Sequence, residues 1–399
     1  MNLAEAVGRA LAAAGVGQVF GVVGSGNFHV TNAMVAGGSR FVAARHEGGA
    51  ATMADAYARM SGTVAALSVH QGCGLTNAMT GIAEAAKSRT PLLVVAAEVT
   101  EPRSNFYVDQ ESLARAVGAV PTRVTTPETA VEEATAAVAT ALRQRRTVLL
   151  NLPLRLQALD APGSEAALAE VAPPQPPTPV EPAEADVAAL AEALDAAQRP
   201  VFVAGRGARG PGAREALEGL ADRTGALLAT SAVARGLFHG NPWSLDVSGG
   251  FASPLAAELI RGADLIAGWG CALNMWTMRH GRLIAPEATV VQVDDDPLAL
   301  GAHREIHLGV TGDVAVTARW VLEAAGAEPR PGYRSAALQA EIAARVRWRD
   351  VPYDDASTTE RIDPRTLSIA LDDLLPAGRV VAIDSGNFMG YPSMYLAVP

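Results

Sequence analysis

"VAALSVHQGCGLTNAMTG", residues 64–81, sets one short apolar run against three glycines and then a helical spacing of small and polar residues. A run of this length bounded by glycine reads as a buried strand. The segment after it reads as the first turns of a helix, and His70 stands where the strand ends. Two readings of "HQGCG" stay open: a tight βα turn that needs glycine, or a cradle of backbone amides facing an anion or a ring.

The same alternation runs through residues 1–160. "QVFGVVG" (18–24), "RFVAARH" (40–46), "PLLVVAAEV" (91–99) and "TVLLNLP" (147–153) read as further strands. They are separated by helical stretches such as "GGAATMADAYARM" and "TAVEEATAAVATALRQ". Strands alternating with helices predict an α/β domain, a doubly wound parallel sheet covered on both faces. Ligands of such sheets gather at the carboxyl ends of the strands. Here those ends carry "GSGN" (24–27), "RHE" (45–47), "HQGCG" and "AEVTEP" (97–102).

Residues 161–186 read as a proline-rich linker, with six prolines in the sixteen residues from Val171 to Asp186. A second α/β domain is predicted over 187–335, with strands at "PVFVAGRG", "GALLATSA", "ADLIAGWG" and "ATVVQVDDD" and a helix at "DVAVTARWVLEAA". A charged helix follows at "AALQAEIAARVRWRD". Residues 360–399 then read as one helix, one strand at "VVAID" and a polar loop, the incomplete beginning of a third domain.

Composition narrows the class. Apolar residues make up 49 % and charged residues 19 % of the 399, a globular balance. A formal net charge of −10, with no long Lys/Arg run, argues against nucleic acid as a partner. No apolar run approaches the roughly 18 residues of a membrane span, and the start, with Glu5 and Arg9 inside it, does not read as a leader. Cys73 and Cys271 form no C-x-x-C pattern, which suits a reducing cytoplasm and supplies no metal site.

Two motifs weigh little. "GRGARG" (205–210) matches a dinucleotide fingerprint, but no acidic residue stands about 20 positions on, so a turn that needs glycine is the preferred reading. The acids Asp294, Asp295 and Asp296 are consecutive and point in different directions, unlike a converging metal shell.

The combination is more specific. "GVGQVFGVVGSGN", "RHEGGAATMADAYARMSG", "GCGLTNAMTGIAEAAKSRTPLLVVAAEV" and "DQESLARAVG", in that order and spacing, resemble the pyrimidine-binding domain of thiamine diphosphate-dependent enzymes, the group of acetolactate synthase, benzoylformate decarboxylase and pyruvate decarboxylase. "PVFVAGRGA", "SAVARGLFHGNP", "VQVDDDP" and "GVTGD" resemble the central domain, and "VVAIDSGNF" the opening strand of the diphosphate-binding domain.

The resemblance implies roles. Glu47 is the buried acid that hydrogen-bonds the cofactor's aminopyrimidine, so that the imine takes the thiazolium proton and the resulting C2-ylid attacks a 2-oxo acid, leaving an enamine to be protonated or transferred. His70 and Gln110 are the other catalytic candidates, His70 as a proton relay and Gln110 near the substrate. Ser25, Gly72, Gly74, Asn77, Gly386 and Asn387 are cofactor-binding candidates. Arg45 and His46 hold the strand end, and Gly48 lets the next helix start close to a flat ring.

Departures shape the expectation. Gly48 replaces the glutamine, and Cys73 the proline, usual in acetolactate synthases, which moves weight toward a decarboxylase or lyase. The family's G-D-G magnesium and diphosphate anchor occurs nowhere in the 399 residues. The chain alone is therefore expected to be incomplete: a truncated chain, one subunit of two, or a cofactor-free relative, with truncation preferred. The expected cofactors are thiamine diphosphate and Mg2+, with no residue selecting for or against FAD. The expected assembly is a homodimer or tetramer. The alternatives are an acetolactate synthase-like carboligase proper, or a catalytically incomplete binding or assembly module that needs a partner chain.

Overall fold

A computed structural model of the chain describes residues 1–384 and 386–397. It divides into two compact units, Met1–Thr178 and a second from Pro179 on. Each is built on one six-stranded, all-parallel sheet, the α/β class that the alternation predicts.

The first unit runs α1 (Leu3–Ala13), β1 (Gln18–Gly21), α2 (Phe28–Ala36), β2 (Arg40–Ala43), α3 (Glu47–Ser61), β3 (Ala65–Val69), α4 (Cys73–Lys87), β4 (Leu92–Glu98), α5 (Gln110–Ala116), β5 (Val120–Arg123), α6 (Ala130–Arg143), β6 (Thr147–Pro153), α7 (Leu154–Gln157) and α8 (Ser164–Ala169). Strand order is β2-β1-β3-β4-β6-β5. Alternation along the central strands feeds two cores. Ala66, Leu93, Val95, Val148 and Leu150 face α1 and α6, whereas Leu67, Val69, Leu92 and Val94 face α3 and α4. The α3/α4 side is built mostly of alanine: Ala50, Ala51, Ala54, Ala58, Ala78 and Ala85 are all buried.

Local chemistry sets the helix ends. Asn2 and Glu5 form a reciprocal capping box on α1, with Glu5 N donating to Asn2 Oδ1 at 2.9 Å and Asn2 N to Glu5 Oε2 at 3.0 Å. The left-handed Gly62 closes α3. The stretch 161–186, read as linker throughout, holds α8 in its first part and has no regular element from 170 to 183.

The second unit runs α9 (Glu184–Ala196), β7 (Pro200–Ala204), α10 (Ala213–Thr224), β8 (Leu227–Thr230), β9 (Ser244–Val247), α11 (Pro254–Arg261), β10 (Leu265–Trp269), β11 (Thr289–Asp294), β12 (Leu308–Thr311), α12 (Val314–Ala324), α13 (Ala336–Arg345), α14 (Pro364–Leu374) and α15 (Gly390–Tyr395). Its strand order is β12-β11-β10-β7-β8-β9. Among the described residues no helix is long and apolar enough to cross a membrane.

Two expectations need correction. β5, β9 and β12 are absent from the strands read in the sequence; all three are four-residue strands at sheet edges, where half the backbone needs no partner and the apolar signal is weak. Pro121 is tolerated in β5 for the same reason. Conversely, "VVAID" (380–384) is not a strand. It has no neighbouring strand to pair with, and Val380 is 91 % exposed. The described C-terminal segment instead packs within the second unit. Tyr395 lies against Trp348, with ring centroids 6.2 Å apart, and Arg235 donates to the carbonyls of Ser393 and Met394.

Helices α3 and α4 touch through Gly81. A Cβ there would fall 2.5 Å from Ala51 Cβ and 3.2 Å from the Ala51 backbone. Gly81→Ala is expected to destabilise the first unit by about 1–3 kcal/mol through overpacking, read as a lowered midpoint in denaturant unfolding.

Candidate active site

In the first sheet the chain leaves β1 toward β2 and later returns to lay β3 on the opposite side of β1. The carboxyl ends of β1 and β3 therefore flank a crevice at the topological switch point. Ser25 follows β1 and His70 follows β3, and they meet across it, Ser25 Oγ lying 3.3 Å from His70 Nε2. His70 Nδ1 lies 3.0 Å from the carbonyl of Gln71, which can only accept. A hydrogen on Nδ1 satisfies that carbonyl, and in that tautomer of the neutral ring Nε2 accepts from the Ser25 hydroxyl. The ring is wedged between Gly24, where a Cβ would fall 2.5 Å from His70 Cδ2, and the Phe106 ring, edge-on at 5.8 Å.

Glu47 opens α3. Its Oε2 accepts from Asn77 Nδ2 at 3.1 Å, which ties the first turn of α3 to α4. His46, expected to hold the strand end, is the N-cap of α3, its Nδ1 accepting from Gly48 N at 3.0 Å. A Cβ at Gly48 would come within 3.2 Å of the Asn77 carbonyl, so the glycine permits the close approach of the two helices. The carboxylate is half-buried rather than buried, because β2, the strand leading into it, is an edge strand exposed along most of its length.

Between Glu47 and His70 lies Gly74. A Cβ there would sit 3.0 Å from His70 Cβ and 3.5 Å from Glu47 Oε1, filling the space between the two side chains. Gly72 is the N-cap of α4 at φ 60°, a left-handed value suited to glycine, with the Phe106 carbonyl only 2.7 Å from where its Cβ would be. Gly72 packs against the Phe106 carbonyl, and Gly74 stands at the start of α4 between an acid and an imidazole.

Gln110 lies beneath the glycine turn. It is 2 % exposed, and both ends of its amide are used inside the protein: Oε1 accepts from Gly72 N at 3.3 Å, and Nε2 donates to Asn151 Oδ1 at 2.7 Å. It positions the glycine turn and presents no group to a ligand. Gly386 and Asn387 belong to the second unit, exposed at the start of a 3-10 turn. Phe106 and Asn151 carry the site as much as the residues singled out, but both act through contacts distant in sequence, and neither stands in a periodic pattern.

In the second sheet the equivalent crevice between β7 and β10 is closed by backbone. Gly207 N donates to Gly270 O at 3.1 Å, and a Cβ at Gly205 would lie 2.2 Å from that same oxygen. The glycines of "GRGARG" serve this packing. Among the described residues no group of three or more His, Cys, Asp or Glu side chains could hold a metal ion.

Family comparison agrees with this geometry. The profile described as "Thiamine pyrophosphate enzyme, N-terminal TPP binding domain" matches residues 1–117, and "Thiamine pyrophosphate enzyme, central domain" matches 187–321, together more than half of the chain. The chain belongs to the thiamine pyrophosphate enzyme family. Similar proteins include a "Probable 2-ketoarginine decarboxylase" of Pseudomonas aeruginosa, 31 % identical over 88 % of this chain and 63 % of its own length. A sulfoacetaldehyde acetyltransferase of Rhodobacter capsulatus is 28 % identical over 97 % of this chain and 69 % of its own. An acetolactate synthase large subunit of Parasynechococcus marenigrum is 26 % identical over 98 % and 65 %. The chain spans about two thirds of the length of these relatives.

Replacing Gln110 by Leu would leave Gly72 N and Asn151 Oδ1 without partners in the interior. A loss of about 1–3 kcal/mol is expected in chemical unfolding, with faster amide exchange at Gly72.

Proposed function

We propose that this chain supplies the pyrimidine-holding part of a thiamine diphosphate-dependent enzyme that acts on a 2-oxo acid by decarboxylation, with or without carboligation. The observation that carries the reading is the convergence of Glu47, Asn77, Gly74 and His70 on one glycine-floored space at the switch point. When bound, the cofactor supplies a nucleophilic carbon and an electron sink for the carbanion left by carbon dioxide.

The chain's own residues bind and move protons. Glu47 Oε1 lies toward Gly74 and can share a proton with a ring nitrogen, while Asn77 fixes the carboxylate through Oε2. Gly74 keeps the space between Glu47 and His70 free of a side chain, and Gln110 holds the Gly72 turn by accepting from its N–H. His70, anchored through Nδ1, presents Nε2 as the proton-accepting and, once charged, proton-donating atom, with Ser25 able to pass a proton to it. A paired proton donor at this point favours protonation of the product, hence decarboxylation, over the acetolactate synthase-like alternative. Magnesium has no role assigned to residues of this chain.

We further infer a homodimer or tetramer as the working unit. Met53, Tyr57 and Met60 form an exposed apolar stripe along α3, the helix that begins with Glu47, which suits a protein face better than water. Sedimentation is expected to show self-association, weakened by Tyr57→Glu. A monomer at all concentrations would remove this inference.

Glu47→Gln in the enzyme is expected to keep the fold and lower turnover by about 10²-fold or more, the scale of a lost acid–base group. Parental turnover in that variant would end the proposed role. His70→Ala is expected to lower kcat while leaving cofactor affinity near the parental value.

A further inference from the structure

Ser25 stands exposed at the crevice, yet the loop that carries it is pinned from beneath by buried polar side chains. Asn27 follows it as the N-cap of α2. An asparagine there ordinarily accepts from the first turn of its own helix. Asn27 makes no such bond. Its Oδ1 accepts instead from Gly24 N at 2.8 Å, and its Nδ2 donates to Val22 O at 3.2 Å and to Ser68 Oγ at 2.9 Å. Gly24 N can only donate, so the amide oxygen faces it and the amide nitrogen faces Ser68.

Ser68 lies on β3, two residues before His70. Thr31, in the first turn of α2, places its Oγ1 2.7 Å from Ser68 Oγ and 2.7 Å from the Asn27 carbonyl. A hydroxyl has one hydrogen and a carbonyl can only accept, so Thr31 donates to Asn27 O and Ser68 donates to Thr31. The hydrogen bonds therefore close a ring with a single direction, from the Asn27 amide to Ser68, from Ser68 to Thr31, and from Thr31 back to the Asn27 main chain. Asn27 and Ser68 are 0 % exposed and Thr31 2 %. On the other flank Gln157, also buried, donates through Nε2 to Gly26 O at 2.9 Å.

Apolar side chains of the same volume would fill this space between α2 and β3 without the cost of burying polar groups. They would not tie the loop of residues 24–27 to the strand that ends at His70. No member of the ring titrates, so it keeps its form while His70 gains or loses a proton. The Ser25 Oγ to His70 Nε2 spacing of 3.3 Å is at the long end of the hydrogen-bond range, where a small displacement of the loop breaks the bond. His70 is wedged against Phe106 and does not follow.

We propose that Asn27, Ser68 and Thr31 are positioning residues for the Ser25–His70 pair, their closed ring setting the distance across which the proton passes. This positioning role rests on the proton role proposed for His70. Parental turnover in His70→Ala ends that proton role, whereas a measurement on the cofactor-free chain tests the ring by itself.

That measurement is NMR of the whole chain, read at the ring-nitrogen resonance of His70 Nε2, which differs between a nitrogen that accepts a hydrogen bond and one that does not. Ser25→Ala gives the value without the Ser25 bond. Thr31→Val, close in volume, and Ser68→Ala are each expected to move the resonance most of the way to that value, and Thr31→Ser, which keeps the hydroxyl, to leave it parental. Either of the first two variants carries the test if the other unfolds. In the enzyme, Thr31→Val is expected to lower kcat by about tenfold or more with KM near the parental value, as for a misplaced group rather than a missing one. A ring that only stabilises the fold would lower the unfolding midpoint in these variants and leave the resonance in place. A parental resonance in folded Thr31→Val or Ser68→Ala overturns the proposal, as does a resonance that Ser25→Ala leaves unchanged.

Discussion

The contact between α3 and α4 is the constraint on which the first unit's site rests. Gly81, midway along α4, against Ala51, and Gly48 against the Asn77 carbonyl, let the two helices approach closely. Only at that separation can Asn77 reach Glu47, and only then does the space over Gly74 have an acid on one side and His70 on the other. A larger side chain at either glycine would part the helices before it touched any reacting group. The site is set by what is missing from these residues.

The sheet supplies the other half of the geometry. Because the chain turns back between β1 and β3, two loops 45 residues apart in sequence meet, and Ser25 faces His70. The Gln71 carbonyl beside Nδ1 suits the tautomer in which Nε2 accepts from Ser25. In the second unit the same topology has another outcome. Glycines on both loops bring the backbones into contact, and the crevice is filled by main chain.

Much of this was legible from residue order, because the informative signals were local. An apolar run, a glycine pair and a helical spacing placed Glu47, His70, Gly72 and Gly74 at strand ends, and the order of motifs carried the family. What escaped depended on distant partners. Edge strands β5, β9 and β12 need only one neighbour and so carry little apolar signal. Gln110 was placed near the substrate by the resemblance alone, and its contact with Asn151, on β6, has no local signal. "VVAID" has strand propensity, but propensity is realised only beside another strand, and among the described residues none pairs with it.

The alanine-built side of the first unit has a further consequence. Alanine has no rotamers to lose, so this interior forms with little side-chain entropy cost. For the same reason it holds few side chains able to swing aside when a bulkier molecule arrives. Accommodation then falls to the segments after β1 and β4, where Val23 and Phe106 are exposed. A body of this kind is rigid beneath the reacting groups and adaptable only at its rim, so new selectivity is most easily acquired by altering loops while the helices stay as they are.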